Sequence, residues 1–406
     1  MEEWYKMKEI DEKEIEAPYE LPEDVNIFEL GNVLSYEQPT NYIVESTDYD
    51  DSYNTPVLTA GKSFIIGYTN ETAGIYTNLP VIIFDDFTTS SQYVDFPFKV
   101  KSSAMKILSV NHNIADLKYI YFFMQVVQFE AKNHKRYWIS EYSKIKINLP
   151  PLSEQKRIVN RIESMFAKLD EAKEKAQNVV DGFETRKSSI LHKAFTGELT
   201  AKWRKENGVS DDSWEEKTIG ECGKWERGRS KHRPRNAPDL FGGKYPFIQT
   251  GDIANADIYI YEHKQTLSEF GFQQSRLFPK DTLCITIAAN IGKVAILTYD
   301  CCFPDSVVGF TPFENVDSKF MYYKINDMQK DLEAMAPATA QKNLNLKLLT
   351  SVSVQIPTFP EQVEIVRILD IIIEKENKAK QAAEAVLEQI DLLKKSILAR
   401  AFRGEL

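Results

Sequence analysis

The sequence predicts an α+β fold with two heads, each built of mixed, twisted sheets plus helices. Two long helices separate the heads and pack as an antiparallel coiled coil, so the chain is expected to be pseudo-two-fold and circularly organised. Three observations predict this. Residues 147–199 recur as residues 354–406, both copies carry sustained heptads, and the segment before each copy mixes strand-like runs with turns and one amphipathic helix.

The repeat pairs "INLPPLSEQKRIV…HKAFTGEL" with "VQIPTFPEQVEIV…LARAFRGEL" at a constant offset of 207, with 19 identities in 53 positions and no gap. Weaker echoes, such as "TPVLTAGK" (55–62) against "YPFIQTGD" (245–252), stand at other offsets. Insertions and deletions have therefore accumulated in the intervening segments and not in the repeated element, which marks a variable head followed by a fixed-length part.

The fixed element reads as a helix. Apolar or small residues recur at Ile158, Ile162, Met165, Leu169, Ala172, Ala176, Val179, Phe183 and Ile190, with Arg186 the one break. The second copy gives Ile365, Leu369, Ile372, Ala379, Ala383, Val386, Ile390, Leu393 and Ile397, broken at Glu376. Alternating steps of three and four over this length predict a coiled coil. Forty residues at 1.5 Å each make a rod of roughly 60 Å. Neither rod has an apolar face wide enough for a globular core, so each is the natural partner of the other.

In the first copy three residues separate "GEL" from Trp203, and three residues precede Trp4 at the start of the chain. The N-terminal segment, 1–19, is therefore expected to complete the second helical repeat, as in a ring cut open. A head–rod–head–rod ring closes most simply with antiparallel rods. The expected organisation is that segment, a first head at 20–149, a first long helix at 150–199, a second head at 200–356 and a second long helix at 357–406. Within the heads, 78–87 and 281–297 read as strands, and 114–126 and 316–334 as helices.

Composition narrows the function. The four cysteines form no CxxC pair and the five histidines never fall at ligand spacing, so buried free thiols are expected rather than a zinc site or disulfides. The start has no apolar leader, and the longest near-apolar run, 119–129, is too short to span a bilayer, so a cytoplasmic chain without membrane contact is expected. The net charge is −10, but residues 1–30 alone hold eleven acids against three lysines, so the rest is near neutral. Local positive surface remains available.

Catalytic motifs are missing from the sequence. "AGKS" (60–63) lacks the upstream glycine of a phosphate loop, and "INLPPL" is not the Asn-Pro-Pro-aromatic motif of amino-methyltransferases. "PDLFGGK" (238–244) has no acid beside its lysine, as a metal-dependent nuclease would need. The chain is expected to be no enzyme by itself, with neither cofactor nor metal of its own.

The strongest local signal is "WERGRSKHRPRN" (225–236), where Arg227, Arg229, Lys231, Arg233 and Arg235 alternate with small, polar or Pro residues. An extended basic loop neutralises phosphates, and its arginines reach guanine edges bidentately. The first head offers Lys99, Lys101 and Lys106, then Lys132, His134, Lys135 and Arg136, as lesser candidates. Its counterpart to the basic loop, "SYEQPTNY" (35–42), presents Tyr36, Gln38, Thr40 and Asn41, which suit either base edges or a simple turn.

The "LPPLSEQKRIV" start of the first helix, its heptads, the "AFTGEL" exit and their recurrence after a second head resemble the specificity subunit of type I restriction-modification systems. The resemblance implies that each head is a target recognition domain reading one half of an asymmetric bipartite site in double-stranded DNA. It implies that the helices set the spacer length and dock two methyltransferase subunits, with two restriction subunits as further partners. S-adenosylmethionine, ATP and Mg2+ are then expected only on those partners. The second copy departs from the pattern at Thr358, Phe359 and Pro360, so the two docking surfaces need not be equivalent. The reading from another class is a non-enzymatic interaction scaffold carrying two α+β modules on a coiled-coil bar.

Overall fold

The structure is a computed structural model. It describes residues 26–59, 63–129, 131, 135–288, 290–335 and 344–406. The chain divides into two compact units. One holds the described residues up to Gln177 together with Glu384–Leu406, and the other holds Asn178–Ala383. The expected segment 1–19, Lys132 and His134 lie outside the described residues.

In the first unit the strands are β1 (Ile27–Glu29), β2 (Leu34–Glu37), β3 (Thr55–Leu58), β4 (Ile65–Thr69), β5 (Val81–Asp85), β6 (Ser91–Val94), β7 (Lys99–Val100), β8 (Met105–Val110) and β9 (Lys146–Asn148). They form a four-stranded sheet in the order β2-β8-β5-β6, a three-stranded sheet β4-β3-β7 and the ribbon β1-β9. The second unit repeats the plan. Its strands are β10 (Glu215–Thr218), β11 (Gly223–Arg227), β12 (Phe241–Phe247), β13 (Tyr259–Ile260), β14 (Gln265–Leu267), β15 (Leu277–Phe278), β16 (Leu283–Thr286), β17 (Val294–Leu297), β18 (Cys301–Cys302), β19 (Val307–Pro312) and β20 (Ser353–Ile356). The sheets run β11-β19-β16-β17-β13 and β14-β12-β18-β15, with the ribbon β10-β20. The parallel pair β3/β7 corresponds to the parallel pair β12/β18, which fixes the equivalence of the two heads.

Each head carries one main helix against its larger sheet, Leu117–Met124 in the first and Ser318–Asp327 in the second, capped by Asp116 and Asp317. Each cap draws one backbone N–H per aspartate into a bond with a glutamine of the following long helix. Asp116 donates to Gln155 Oε1 at 2.8 Å, and Gln155 Nε2 donates to the carbonyls of Ile114 and Pro150. Asp317 donates to Gln362 Oε1 at 2.8 Å, and Gln362 Nε2 donates to the carbonyls of Asn315 and Pro357. Both glutamines are buried, so the glutamine shared by the two copies is explained by the backbone groups it satisfies.

The first long helix runs Leu152–Asp181, is interrupted at Gly182 and continues as Phe183–Phe195. The second is continuous over Phe359–Phe402. In the first unit Arg157 bonds the carbonyl of Leu406 at 2.8 Å and Lys394 pairs with Asp170 at 2.5 Å, so the two helical segments there are antiparallel. The second unit shows the same sense. Arg186 pairs with Glu376 at 2.7 Å, and Lys380 lies over the Phe183 ring at 4.9 Å.

Of the expected seam, Ile158, Ile162, Ala176, Phe183, Ile365, Leu369, Ala383 and Ile390 are buried. Met165, Leu169, Ala172, Val179 and Ile372 are half-buried. Ala379 and Val386 are exposed and do not belong to it, and Ile373 is buried in preference to Ile372. A straight helix turns every 3.6 residues, so a seven-residue template drifts off the packed face.

The head cores continue onto these helices. Ile158, Val159 and Ile162, with Leu398, Ala401 and Phe402, close the core of the first head. Leu191, Ala194, Phe195, Ile365, Leu369 and Ile373 close that of the second. The four cysteines are free and buried, and burial pushes the Cys222 thiol up to about 11. Among the described residues no helix is long and apolar enough to cross a membrane.

Candidate nucleic-acid interface

The basic segment begins as β11, the edge strand of its sheet, and leaves it at Arg227. Gly228 then passes so close to the 303–304 backbone that a Cβ there would sit 2.2 Å from the Pro304 carbonyl oxygen. Only glycine allows that approach. The loop is tied down along its length. Gly228 N–H donates to Val307 O at 2.8 Å, Arg229 N–H to Phe303 O at 3.1 Å and Lys231 N–H to Gln274 O at 3.2 Å. Fixed geometry distinguishes this segment from an ordinary solvated charged loop.

Its five cations have different employments. Arg227 Nε donates to the Asp305 carbonyl oxygen at 2.5 Å, and Arg235 Nη2 to the Asp305 carboxylate at 2.7 Å. Arg233 bonds the carbonyls of Ser230 and His232 within the loop. Exposed Lys231 and half-buried Arg229 lie between these anchors. Arg229, His232, Arg235 and Ser275 line a small cavity of about 20 Å³ at the base of the loop. Asp305 carries no local sequence signal, because it lies 70 positions from Arg235 and no local pattern links them.

The equivalent connection in the first head joins β2 to β3, and its charge is inverted. Residues 37–54 hold Glu37, Glu45, Asp48, Asp50 and Asp51 and no Lys or Arg, whereas 227–240 hold the five cations and a single acid, Asp239. Tyr36 is 44% exposed on β2, with the Lys106 ammonium 4.7 Å from its ring centroid. Pro39–Tyr42 forms a 3-10 turn that exposes Thr40 and Asn41 and half-buries Gln38. The structure thus brings Tyr36, Gln38, Thr40 and Asn41 into the position that the basic loop holds in the second head.

The lysines of the first head separate into two groups. Lys99 is buried, paired with Glu71 at 2.5 Å and bonded to Ala73 O at 2.7 Å, so its charge is spent inside the head and not on phosphate. Lys106 is likewise buried, 3.4 Å from the Asp86 carboxylate, which also accepts the Trp138 N–H. Lys135 is paired with Glu141. Lys101 and Arg136 are exposed and remain available. Among the described residues no group of three or more His, Cys, Asp or Glu is placed to hold a metal ion.

Comparison with known proteins fits this architecture. The family profile "Type I restriction modification DNA specificity domain" matches residues 22–180 and again 211–389, once per head and helix. The chain is 34% identical over 367 residues to the specificity subunit of the Escherichia coli type I restriction enzyme EcoR124I/EcoR124II, covering 86% of each protein. It is 26% identical over 274 residues to that of the Escherichia coli enzyme EcoBI, covering 64% of this chain and 58% of the relative. Among solved structures it resembles the HsdS subunit from Thermoanaerobacter tengcongensis, with a TM-score of 0.65, 18% identity, and 97% of this chain and 100% of that one covered. At that identity the structural likeness speaks to the fold, while the profile and the Escherichia coli relatives carry the assignment. The chain belongs to the family of DNA specificity subunits of type I restriction-modification systems.

Proposed function

We propose that this chain is the non-catalytic reader of its complex, and that each head contacts one half of a bipartite, asymmetric site in double-stranded DNA. The observation that carries this is the charge inversion between equivalent loops, 37–54 and 227–240, on heads of the same topology. One plan with unlike reading surfaces is suited to two unlike half-sites. In the second head Arg229, Lys231 and Arg233 approach phosphates and guanine edges, and Lys101 and Arg136 supply what positive charge the first head presents. In the first, Tyr36, Gln38, Thr40 and Asn41 offer hydroxyl and amide groups that exchange hydrogen bonds with base edges.

The long helices fix the gap between half-sites and dock two methyltransferase subunits, with restriction subunits joining the assembly through them. Exposed Phe359 and Val363 at the start of the second helix, where the repeats differ, make its docking surface unlike the first. S-adenosylmethionine, ATP and Mg2+ belong in this reading to the partners.

The test is selection from a pool of random-sequence duplexes by the chain assembled with its methyltransferase subunits. Two unlike half-sites at a fixed gap are expected. Removing seven residues from each long helix should shorten the gap and leave both half-sites unchanged. A pool that never enriches would favour the interaction-scaffold reading.

A further inference from the structure

The basic loop contains an apparent contradiction. A segment that serves DNA through charge alone should not recruit an acid, yet Asp305 engages both of its ends. Arg227 reaches the Asp305 backbone carbonyl at 2.5 Å and Arg235 reaches its carboxylate at 2.7 Å, which closes the segment between them into a loop. The carboxylate cancels one of the five positive charges. It does so in the open, since Arg235 is 51% and Asp305 30% exposed at the side chain, so burial does not force the pairing. The turn that carries Asp305 is itself fixed, with Val307 N–H bonded to Pro304 O at 3.0 Å and Ile287 N–H to Ser306 O at 3.0 Å.

We propose that Asp305 is a positioning residue for half-site discrimination by the second head. It clasps Arg227 and Arg235 as struts and thereby holds Arg229, Lys231 and Arg233 in the geometry that reads DNA. The inference rests on the reading that this head contacts DNA, and it divides the five cations of the loop into two struts and three readers. Pre-organisation lowers the ordering cost of binding the correct sequence, and the lost charge lowers attraction to every other sequence. Both effects raise discrimination. The first head has no counterpart, because its equivalent loop contains no cation to clasp.

The test uses the full chain assembled with its methyltransferase subunits and the duplex enriched from a random-sequence pool by the parent complex. Affinities are measured across a salt series for that duplex and for duplexes altered in either half. Asp305→Asn should reduce discrimination at one half-site by about tenfold and leave the other unchanged. It should also steepen the slope of log affinity against log salt by about 0.9, because freed Arg235 finds a phosphate. Arg235→Gln opens the same clasp without freeing a cation, so it should reduce discrimination at that half-site with the slope unchanged. Uniform weakening on all duplexes in both variants, or unchanged discrimination in both, overturns the proposal while leaving DNA reading intact. Failure of the parent complex to enrich any sequence overturns the DNA reading and this inference together.

Discussion

Arg186 and Glu376, the single interruptions of two otherwise apolar heptad series, are paired with each other at 2.7 Å. Arg186 also donates to the Val179 carbonyl oxygen at 2.9 Å and so bridges the break at Gly182. A Cβ at Gly182 would lie 2.5 Å from its guanidinium. By the repeat offset of 207, the counterparts of Arg186 and Glu376 are Leu393 and Leu169, both in the other unit. The second unit therefore carries a partly exposed ion pair at positions where the first unit carries two leucines, Leu169 half-buried and Leu393 exposed.

Replacing the pair jointly should cost little, because Arg186→Leu with Glu376→Leu gives this unit the two leucines that the other unit carries at the same repeat positions. Each single change should destabilise the helix pair by about 1 kcal/mol, since the side chains are 38% and 25% exposed and solvent screens them. A double-mutant cycle by thermal melting measures the coupling. Two single losses that simply add in the double variant would show that the pair contributes no coupling.

Gln155 and Gln362 make matching sets of three hydrogen bonds in the two units, so Gln155→Ala and Gln362→Ala should cost similar amounts. Each leaves a part-buried backbone N–H and two carbonyls short of a partner, worth about 1–2 kcal/mol. Amide hydrogen exchange at Asp116 and Asp317 reads this directly. Protection should fall at the altered site and hold at the other.

The periodic parts of this fold are written locally, and that is why they were legible. Heptads, the ungapped repeat and the turn-bounded apolar runs each declare themselves within a few residues. The run 281–297 resolves into the hairpin β16/β17, and 316–334 into the helices Ser318–Asp327 and Gln329–Met335. What stayed hidden depends on distant partners. Nothing near Lys99 shows that Glu71 lies across from it, 28 positions away, and nothing near Lys106 indicates Asp86. The seam is hidden for a related reason. Lys380 and Lys394 place their ammonium groups over the Phe183 and Phe166 rings, and an apolar template scores such lysines as surface. The basic loop was visible as composition, whereas its clasp by Asp305 was not.

The Lys99–Glu71 pair gives the first head an acid limit. The bond from Lys99 holds the Glu71 carboxyl below its ordinary range, against the opposing effect of burial. A carboxyl whose folded value is depressed stabilises above its unfolded value of about 4.3, and the contribution is lost as pH falls through the folded value. Stability of this head should therefore be flat near neutrality and fall below about pH 4. Lys99→Met should flatten that acid limb and cost on the order of 3 kcal/mol at neutral pH, because it leaves Glu71 without its cation. Hydrogen exchange of β3 and β7 as a function of pH follows both effects. An acid limb unchanged in the variant would assign the loss to other carboxylates.

The tether from each head helix to its long helix is also duplicated, but unequally. Lys118 pairs with Glu163 in the first unit, and at the same repeat positions Lys319 pairs with Asp370 at 2.7 Å in the second. Only the second adds a hydroxyl. Tyr323 donates to Asp370 at 2.6 Å, and burial followed by that bond raises the tyrosine's pKa well beyond its ordinary value. The corresponding residue of the first head is Phe122, which packs edge-on against Phe166 instead. Glu163→Ala should thus cost less than about 1 kcal/mol, as an exposed ion pair does. Asp370→Ala should cost about 2 kcal/mol, because it strands a buried hydroxyl as well as a lysine. Hydrogen exchange along Leu117–Met124 and Ser318–Asp327 reports the two tethers separately. With Tyr323→Phe in the background the excess loss at Asp370 should disappear, and an excess that persists would place the difference in the lysine and not in the hydroxyl.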